Sequence, residues 1–300
     1  MRVLVTGKGG QLGRSIYKAL YTSKGEKRYI QSINEFIFVG REELDLSQNE
    51  SVSNYFKHNK FDVIINCAAY TAVDNAEEEH KLAKQINYLA VKQLAEIANK
   101  QQAKLIHIST DYVFDGNGHK PYLESDKTNP INVYGKTKLA GDLILQEIMP
   151  TNSIIIRTSW VYSEYGNNFV KTMLRLGKEK RQLNVVNDQM GSPTYATDLA
   201  SVILEILQNK IFKEKKFTAG VYHYSNRGGI SWHKFAEKIF EIGKVDCKVN
   251  PVKTNQYPTS AKRPKNTVMD IDKIVNTFDI DIIDWVDSVQ VCIKNIKDKT

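Results

Sequence analysis

The first twenty residues restrict the fold more than any other stretch. Val3-Leu4-Val5 is a short, uninterrupted apolar run of the kind found in strands buried on both faces. It leads straight into Thr6-Gly7-Lys8-Gly9-Gly10-Gln11-Leu12-Gly13, after which Ile16 and Leu20 recur at helical spacing. Strand, glycine turn and helix in that order open a dinucleotide-binding unit. Gly7, Gly10 and Gly13 permit the sharp turn and let the backbone approach a pyrophosphate, and the helix N-terminus favours the anion. Gly7, Gly10, Gln11 and Leu12 are therefore the first predicted cofactor contacts.

The chain then alternates. Glu35 to Gly40 reads as a second strand whose end meets the adenine ribose. An acid there would accept from a free 2′-hydroxyl, whereas an arginine accommodates a 2′-phosphate. Arg41 stands at that point with Glu42 and Glu43 behind it, which favours NADPH and leaves NADH possible. Asp45 and Leu46 fall near the adenine edge, although Asp45 would equally cap a helix from Ser47. Phe61 to Ala69 is a third buried-strand run; Ala68, Ala69 and Tyr70 let a cofactor lie against the backbone, or else simply pack. A helix from about Lys81 to Gln101 carries Leu82, Ile86, Leu89, Leu94 and Ile97 as core positions. Asn87 is its odd polar residue, a solvent-facing or water-holding amide, and is placed with the cofactor contacts. Strands alternating with helices predict an α/β fold, a Rossmann-type doubly wound parallel sheet with ligand at the strands' carboxyl ends.

The chemistry concentrates between Leu105 and Ala140. An apolar run ends abruptly in Ser109-Thr110-Asp111, and a proline-containing loop leads to Tyr134-Gly135-Lys136-Thr137-Lys138. On a helix Tyr134 and Lys138 share one face. A phenol beside a fixed ammonium is a tuned acid, and Thr110 would hold a carbonyl oxygen in line with it. Thr110, Tyr134 and Lys138 form the predicted catalytic set.

After Ser153 to Thr158, another strand, the alternation loosens. Residues 1–160 read as the cofactor-binding domain, and 161–300 as mostly a smaller substrate-binding lobe with some segments returning to the sheet. In that half, Asp188 to Tyr195 reads as a polar turn, Ser231 as an N-cap, and 258–266 as a rigid basic loop. Net charge is +8, with Lys-rich runs at Lys210 to Lys216 and Lys294 to Lys299. These read as solvated surface and a frayed terminus; no module with clustered Arg and aromatics points to nucleic acid. The three cysteines, Cys67, Cys247 and Cys292, are far apart, which fits a reducing compartment and no zinc site. No apolar segment approaches a membrane span and no leader is visible, so a cytoplasmic protein is expected.

Several segments together resemble the extended short-chain dehydrogenase/reductases and, within them, the family of reductases that complete dTDP-L-rhamnose synthesis. They are the glycine turn, Asn66 to Asp74, Ile108 to Gly116, Tyr134 to Gly141, Arg157 to Tyr162, Asp188 to Thr194 and Arg263 to Thr267. The resemblance spans nearly the whole chain, and Thr-Asp-Tyr-Val-Phe-Asp-Gly and Asp-Gln-x-Gly-x-Pro-Thr are its most specific parts. It implies hydride delivery from NADPH to C4 of a dTDP-linked 4-keto-6-deoxy sugar, with Tyr134 as acid, Lys138 lowering the phenol's pKa and holding the nicotinamide ribose, and Thr110 on the keto oxygen. Asp111 and Trp160 would face the sugar, and Asn168 and Arg263 the nucleotide phosphates. A homodimer is also implied. Some members are described as needing Mg²⁺ to dimerise, but Glu77-Glu78-Glu79 reads more simply as a charged helix start, so no metal ligands are assigned. Related chains act on other 4-keto sugars, epimerise them, or serve as non-catalytic NADP-binding regulatory subunits of methionine adenosyltransferase.

Overall fold

The computed structural model describes residues 1–21, 33–213 and 219–298. Part of the basic run from Lys210 to Lys216, and Lys299 of the tail, lie outside the described residues.

Six strands form the central sheet: β1 (Arg2–Thr6), β2 (Glu35–Val39), β3 (Val63–Asn66), β4 (Lys104–Thr110), β5 (Ser153–Thr158) and β6 (Gly220–Tyr224). Their order is β6-β5-β4-β3-β1-β2 and every pairing is parallel. The helices that matter below are α1 (Gln11–Leu20), α2 (Asn49–His58), α3 (Ala90–Gln101), α4 (Val133–Ile148), α5 (Phe169–Glu179), α6 (Ala196–Gln208), α7 (Trp232–Gly243), α8 (Asp272–Phe278) and α9 (Trp285–Lys297).

Period-two alternation splits the apolar strand residues between two layers. Val3, Val5, Val63, Ile65, Ile106, Ile154 and Ile156 face a cluster built with α1, α6 and α8. Leu4, Ile64, Leu105 and Ile155 face the opposite cluster, built with α2, α3 and α4. Each fully buried aliphatic side chain contributes roughly 1.5–3 kcal/mol, and these two layers hold the sheet rigid. The chain leaves β1 for one edge and returns on β1's other side, so strand order reverses between β1 and β3. Register there pairs Thr6 with Asn66, which puts the two carboxyl ends side by side at the crevice.

A third cluster joins α5, α7 and α9 to the pairing of Gln182–Val186 with Lys248–Val252. That lobe draws on the C-terminal half, while α6, β6 and α8 of the same half pack on the sheet.

Four local expectations are corrected. The segment before α3 is His80–Lys84 followed by a π-turn over Gln85–Leu89, and Leu82 is exposed instead of core. The buried face of this segment and α3 is made of Ala83, Asn87, Ala90, Val91, Leu94, Ala95 and Ala98, smallest where it nears α4. Small residues are required there because α4 comes so close that a Cβ on Gly141 would collide with the Asn87 carbonyl. The polar turn at Asp188 to Tyr195 contains two short strands, Met190–Gly191 and Thr194–Tyr195, each paired elsewhere. Asp45 does not cap α2; its carboxylate accepts from the Ser47 N–H and hydroxyl in a tight turn, and Gln48 stands at the cap. Lys294 and Lys297 belong to the last turn of α9, not to a frayed tail, because Val289, Cys292 and Ile293 anchor that helix in the lobe.

Candidate active site

The glycine turn is built for close approach. Gly7 has φ +72°, and a Cβ there would sit 3.0 Å from the Ala68 amide nitrogen at the end of β3. A Cβ on Gly13 would collide with the Gly7 carbonyl. The turn therefore nests against β3 and feeds directly into α1. Gly10 at the α1 N-cap has no side chain to satisfy the first-turn N–H groups, so those donors remain for an anion.

A cleft of about 590 Å³ runs from this turn along the strand ends. Of the predicted cofactor residues, Gly7, Gly10, Gln11, Leu12, Arg41, Asp45, Leu46, Ala68, Ala69, Tyr134 and Lys138 line it. Tyr70 and Asn87 stand behind it. Asn87 grips the backbone of Tyr70, accepting its N–H at 2.9 Å and donating to its carbonyl at 3.0 Å, with a further bond to Thr137. The π-turn supplies this inward amide; its task is to fix the loop after β3.

Sequence reasoning missed one residue at the end of β2. Lys8 lies along Gly40, and its ammonium pairs with Glu43. That bond, and the Gly40 N–H, hold Glu43 below its usual carboxylate value. Arg41 pairs with Asp45 at 3.2 Å. Two cations thus sit at the end of β2, each held by a carboxylate. A lysine inside the glycine turn was the available signal.

Asn132 caps α4 through Gly135 N–H at 2.7 Å, and a Cβ on Gly135 would collide with the Tyr112 carbonyl. The turn after β4 and the start of α4 are thereby pressed together, which brings Thr110 to Tyr134. Burial pushes the Tyr134 phenol up to about 12, and the Thr110 hydroxyl counters part of that rise. The expected lowering of this phenol by Lys138 is not what the geometry gives. The Lys138 ammonium is directed at His107 Nε2 (3.1 Å) and the Ile108 carbonyl (2.7 Å). Burial also brings Lys138 itself down to about 8, with Asp142 opposing.

Asp111 is buried and accepts from the Thr110 hydroxyl at 3.1 Å. Burial lifts its carboxyl to about 7. The folded state then binds more protons than the unfolded state between about pH 4 and 7, so stability present in acid is lost as pH rises through that window. Asp111→Asn is expected to flatten this fall, gaining on the order of 3 kcal/mol relative to the parent at pH 8 compared with pH 4. Urea unfolding at the two pH values measures it, and parallel stabilities would refute the buried carboxyl.

Trp160 takes a left-handed conformation (φ +46°), and its ring stacks on Trp232 at 3.4 Å. Asn168 caps α5 and spends its amide on Gln11, Ser163 and Tyr165. These bonds tie the lobe to the glycine turn. Arg263 lines a second cavity, about 890 Å³, together with Asp74, Phe169 and Trp232. It is held by Asp74 through two bonds of 3.0 and 2.6 Å. Tyr112 packs edge-on to Tyr134 at 5.8 Å and lies within the field of the Arg263 charge. Among the described residues there is no group of three or more His, Cys, Asp or Glu that could hold a metal ion.

Comparison with known proteins matches the RmlD substrate binding domain over residues 1–298. The chain belongs to that family. It is 43% identical to the dTDP-4-dehydrorhamnose reductase of Aggregatibacter actinomycetemcomitans, covering 99% of this chain and 98% of that one. Among solved structures, the Clostridium acetobutylicum dTDP-4-dehydrorhamnose reductase superposes with TM-score 0.88 at 40% identity, covering 99% of this chain and 100% of its own. The Bacillus anthracis enzyme, solved in complex with NADP, gives 0.86 at 36% identity over 98% and 99% of the two chains.

Proposed function

We propose that this chain reduces the C4 keto group of dTDP-4-dehydro-6-deoxy-L-mannose with NADPH, giving dTDP-L-rhamnose. The observation that carries the reading is the placement of Tyr134 and Lys138 in the same cleft as the glycine turn. NADPH, when bound, supplies the hydride. The residues present fit it: the uncapped α1 N-terminus meets a pyrophosphate, Ala68 and Ala69 back the strand ends, and Arg41 with Lys8 meets a 2′-phosphate. Lys138 keeps one N–H for the ribose after its bonds to His107 and Ile108.

Thr110 and Tyr134 receive the keto oxygen. A phenol held near 12 keeps its proton until the substrate oxygen becomes an alkoxide, which is the stronger base, so transfer runs downhill when it is needed. Arg263 offers the sugar nucleotide's phosphates a guanidinium already oriented by Asp74, and Phe169 and Trp232 offer the base an apolar wall. Asp111 and Trp160 belong to the sugar side in this reading, and 1–160 with most of 161–300 divide cofactor from substrate. A homodimer and a cytoplasmic setting go with it; three free cysteines suit a reducing compartment.

Following NADPH absorbance with the 4-keto sugar nucleotide tests the reaction. Rapid substrate-dependent oxidation with dTDP-L-rhamnose as product is expected. Cofactor binding without oxidation would overturn it in favour of another 4-keto sugar or a non-catalytic regulatory subunit. The cofactor end has its own test. Arg41→Ala is expected to raise KM for NADPH roughly ten-fold, the loss of a charge-assisted bond, while leaving NADH little changed. Equal effects on the two cofactors would remove Arg41 from 2′-phosphate recognition.

A further inference from the structure

A line of buried polar side chains crosses the sheet beneath the cleft. Thr6 Oγ1 donates to Asn66 Oδ1 at 2.7 Å, Asn66 Nδ2 lies 3.0 Å from His107 Nδ1, and His107 Nε2 lies 3.1 Å from Lys138 Nζ. These residues come from β1, β3, β4 and α4, and none is more than 2% exposed. Nothing in the reduction itself calls for an imidazole in the middle of a sheet, and a buried polar group of this kind needs a purpose.

Counting donors and acceptors supplies one. A neutral imidazole carries one N–H and one lone pair, whereas an ammonium has donors only. A charged Lys138 therefore requires the lone pair on Nε2 and the proton on Nδ1. That Nδ1–H needs an acceptor, which Asn66 provides when its amide oxygen faces the ring and its nitrogen faces Thr6. A neutral Lys138 reverses every link. Nε2–H then donates to the amine, Nδ1 accepts from Asn66 Nδ2, and Thr6 donates to the amide oxygen. The ring is neutral in both arrangements, and the only proton lost overall is the one from Lys138. Burial, reinforced by the Lys138 charge, keeps the His107 ring from protonating.

We propose that His107, backed by Asn66 and Thr6, is a positioning residue for Lys138 that holds the ammonium on its Nε2 lone pair and changes tautomer when Lys138 loses its proton. The inference deepens the proposed reductase reading, since it assigns how that lysine is held. The ammonium's three donors are thereby distributed: one to His107, one to the Ile108 carbonyl and one to the cleft. Other groups also face this charge. Tyr134 and Asp142 stand on α4, Arg157 pairs with Asp142 from β5, and Asp111 follows β4.

The test reads the ring nitrogens of the full-length, NADP-bound protein labelled with ¹⁵N-histidine, from pH 6 to 10. The His107 signals are expected to change from the Nδ1–H to the Nε2–H pattern as Lys138 titrates, and Lys138→Met should abolish the change. One tautomer throughout, unaltered by Lys138→Met, would overturn the proposal, as would a protonated ring near neutrality. Kinetics give a second arm. His107→Leu removes the acceptor and should lower kcat about ten- to a hundred-fold, with little change in KM for the sugar and the alkaline limb of the pH profile moved to lower pH. His107→Gln, which keeps an acceptor, should restore that limb. Equal losses in both variants with an unmoved pH profile would indicate a merely structural ring and defeat the idea. If His107→Leu does not fold, the tautomer measurement on the unaltered ring decides. A parent protein that binds NADP without turning over the sugar would defeat the reductase reading while the tautomer change could still be observed.

Discussion

Tyr134→Phe is expected to lower kcat by about 10²- to 10⁴-fold, the usual contribution of a positioned acid, while cofactor binding survives. The physical case rests on where the phenol sits. It lines the cleft on the same helical face as Lys138, beside the Thr110 hydroxyl, with the Tyr112 ring packed against its edge. Phenylalanine keeps that packing and removes only the O–H, so the α4 N-terminus, capped by Asn132, should be undisturbed. Fluorescence titration with NADPH separates the two properties. Turnover within a few-fold of the parent would exclude Tyr134 as the proton donor, whereas lost cofactor binding would mean that the variant had disturbed the cleft. Because burial holds the phenol near 12, the parent's activity should not fall in acid through this group; an acid limb must come from elsewhere, and Asp111, lifted to about 7, is the nearest buried carboxyl.

The largest effect on stability is expected from Arg157→Leu. Arg157 on β5 and Asp142 on α4 form an ion pair of 3.2 Å with both side chains essentially out of solvent. The guanidinium also lies over the Phe114 ring, 5.5 Å from its centroid. Removing one partner of a buried pair leaves the other charge without compensation, at a cost of about 3–5 kcal/mol. Burial already pushes the Asp142 carboxyl up, with Arg157 the leading group holding it down, so the variant's Asp142 should take a proton. Urea denaturation should show the loss at pH 8, and it should shrink as pH falls and the carboxyl neutralises. A second change, Asp142→Leu in the Arg157→Leu background, should recover much of the loss, because a well-packed apolar pair replaces a buried ionic one at little net cost. An unaltered unfolding midpoint in the single variant would show that the pair contributes nothing.

Much of this molecule is written locally. Val3-Leu4-Val5, Val63 to Ile65 and Ser153 to Ile156 are apolar runs that can satisfy burial on both faces only in the middle of a parallel sheet, so alternation with helices announced the layers. Gly7 and Gly13 mark places where backbone meets backbone, and the same stretch names the turn. Tyr134 and Lys138 share a helix face by spacing alone, and Ser231 is a cap by residue type. Those features depend on neighbours within a few residues, which is why sequence determines them.

What sequence could not determine depends on groups that meet across the fold. His107 read as part of an apolar strand; only β3 and α4 on either side turn it into Lys138's partner. The direction of the Lys138 ammonium follows from that encounter and the phenol's raised pKa from burial, neither of which the Tyr-x-x-x-Lys spacing contains. Asn87 needed the loop after β3 to reveal its task, Asn168 needed Gln11, and Arg263 needed Asp74, 189 positions away. Leu82 was misplaced because helical periodicity gives a face without saying how near the next helix comes. Electrostatics and close packing are sums over spatial neighbours, so the tertiary structure alone decided them.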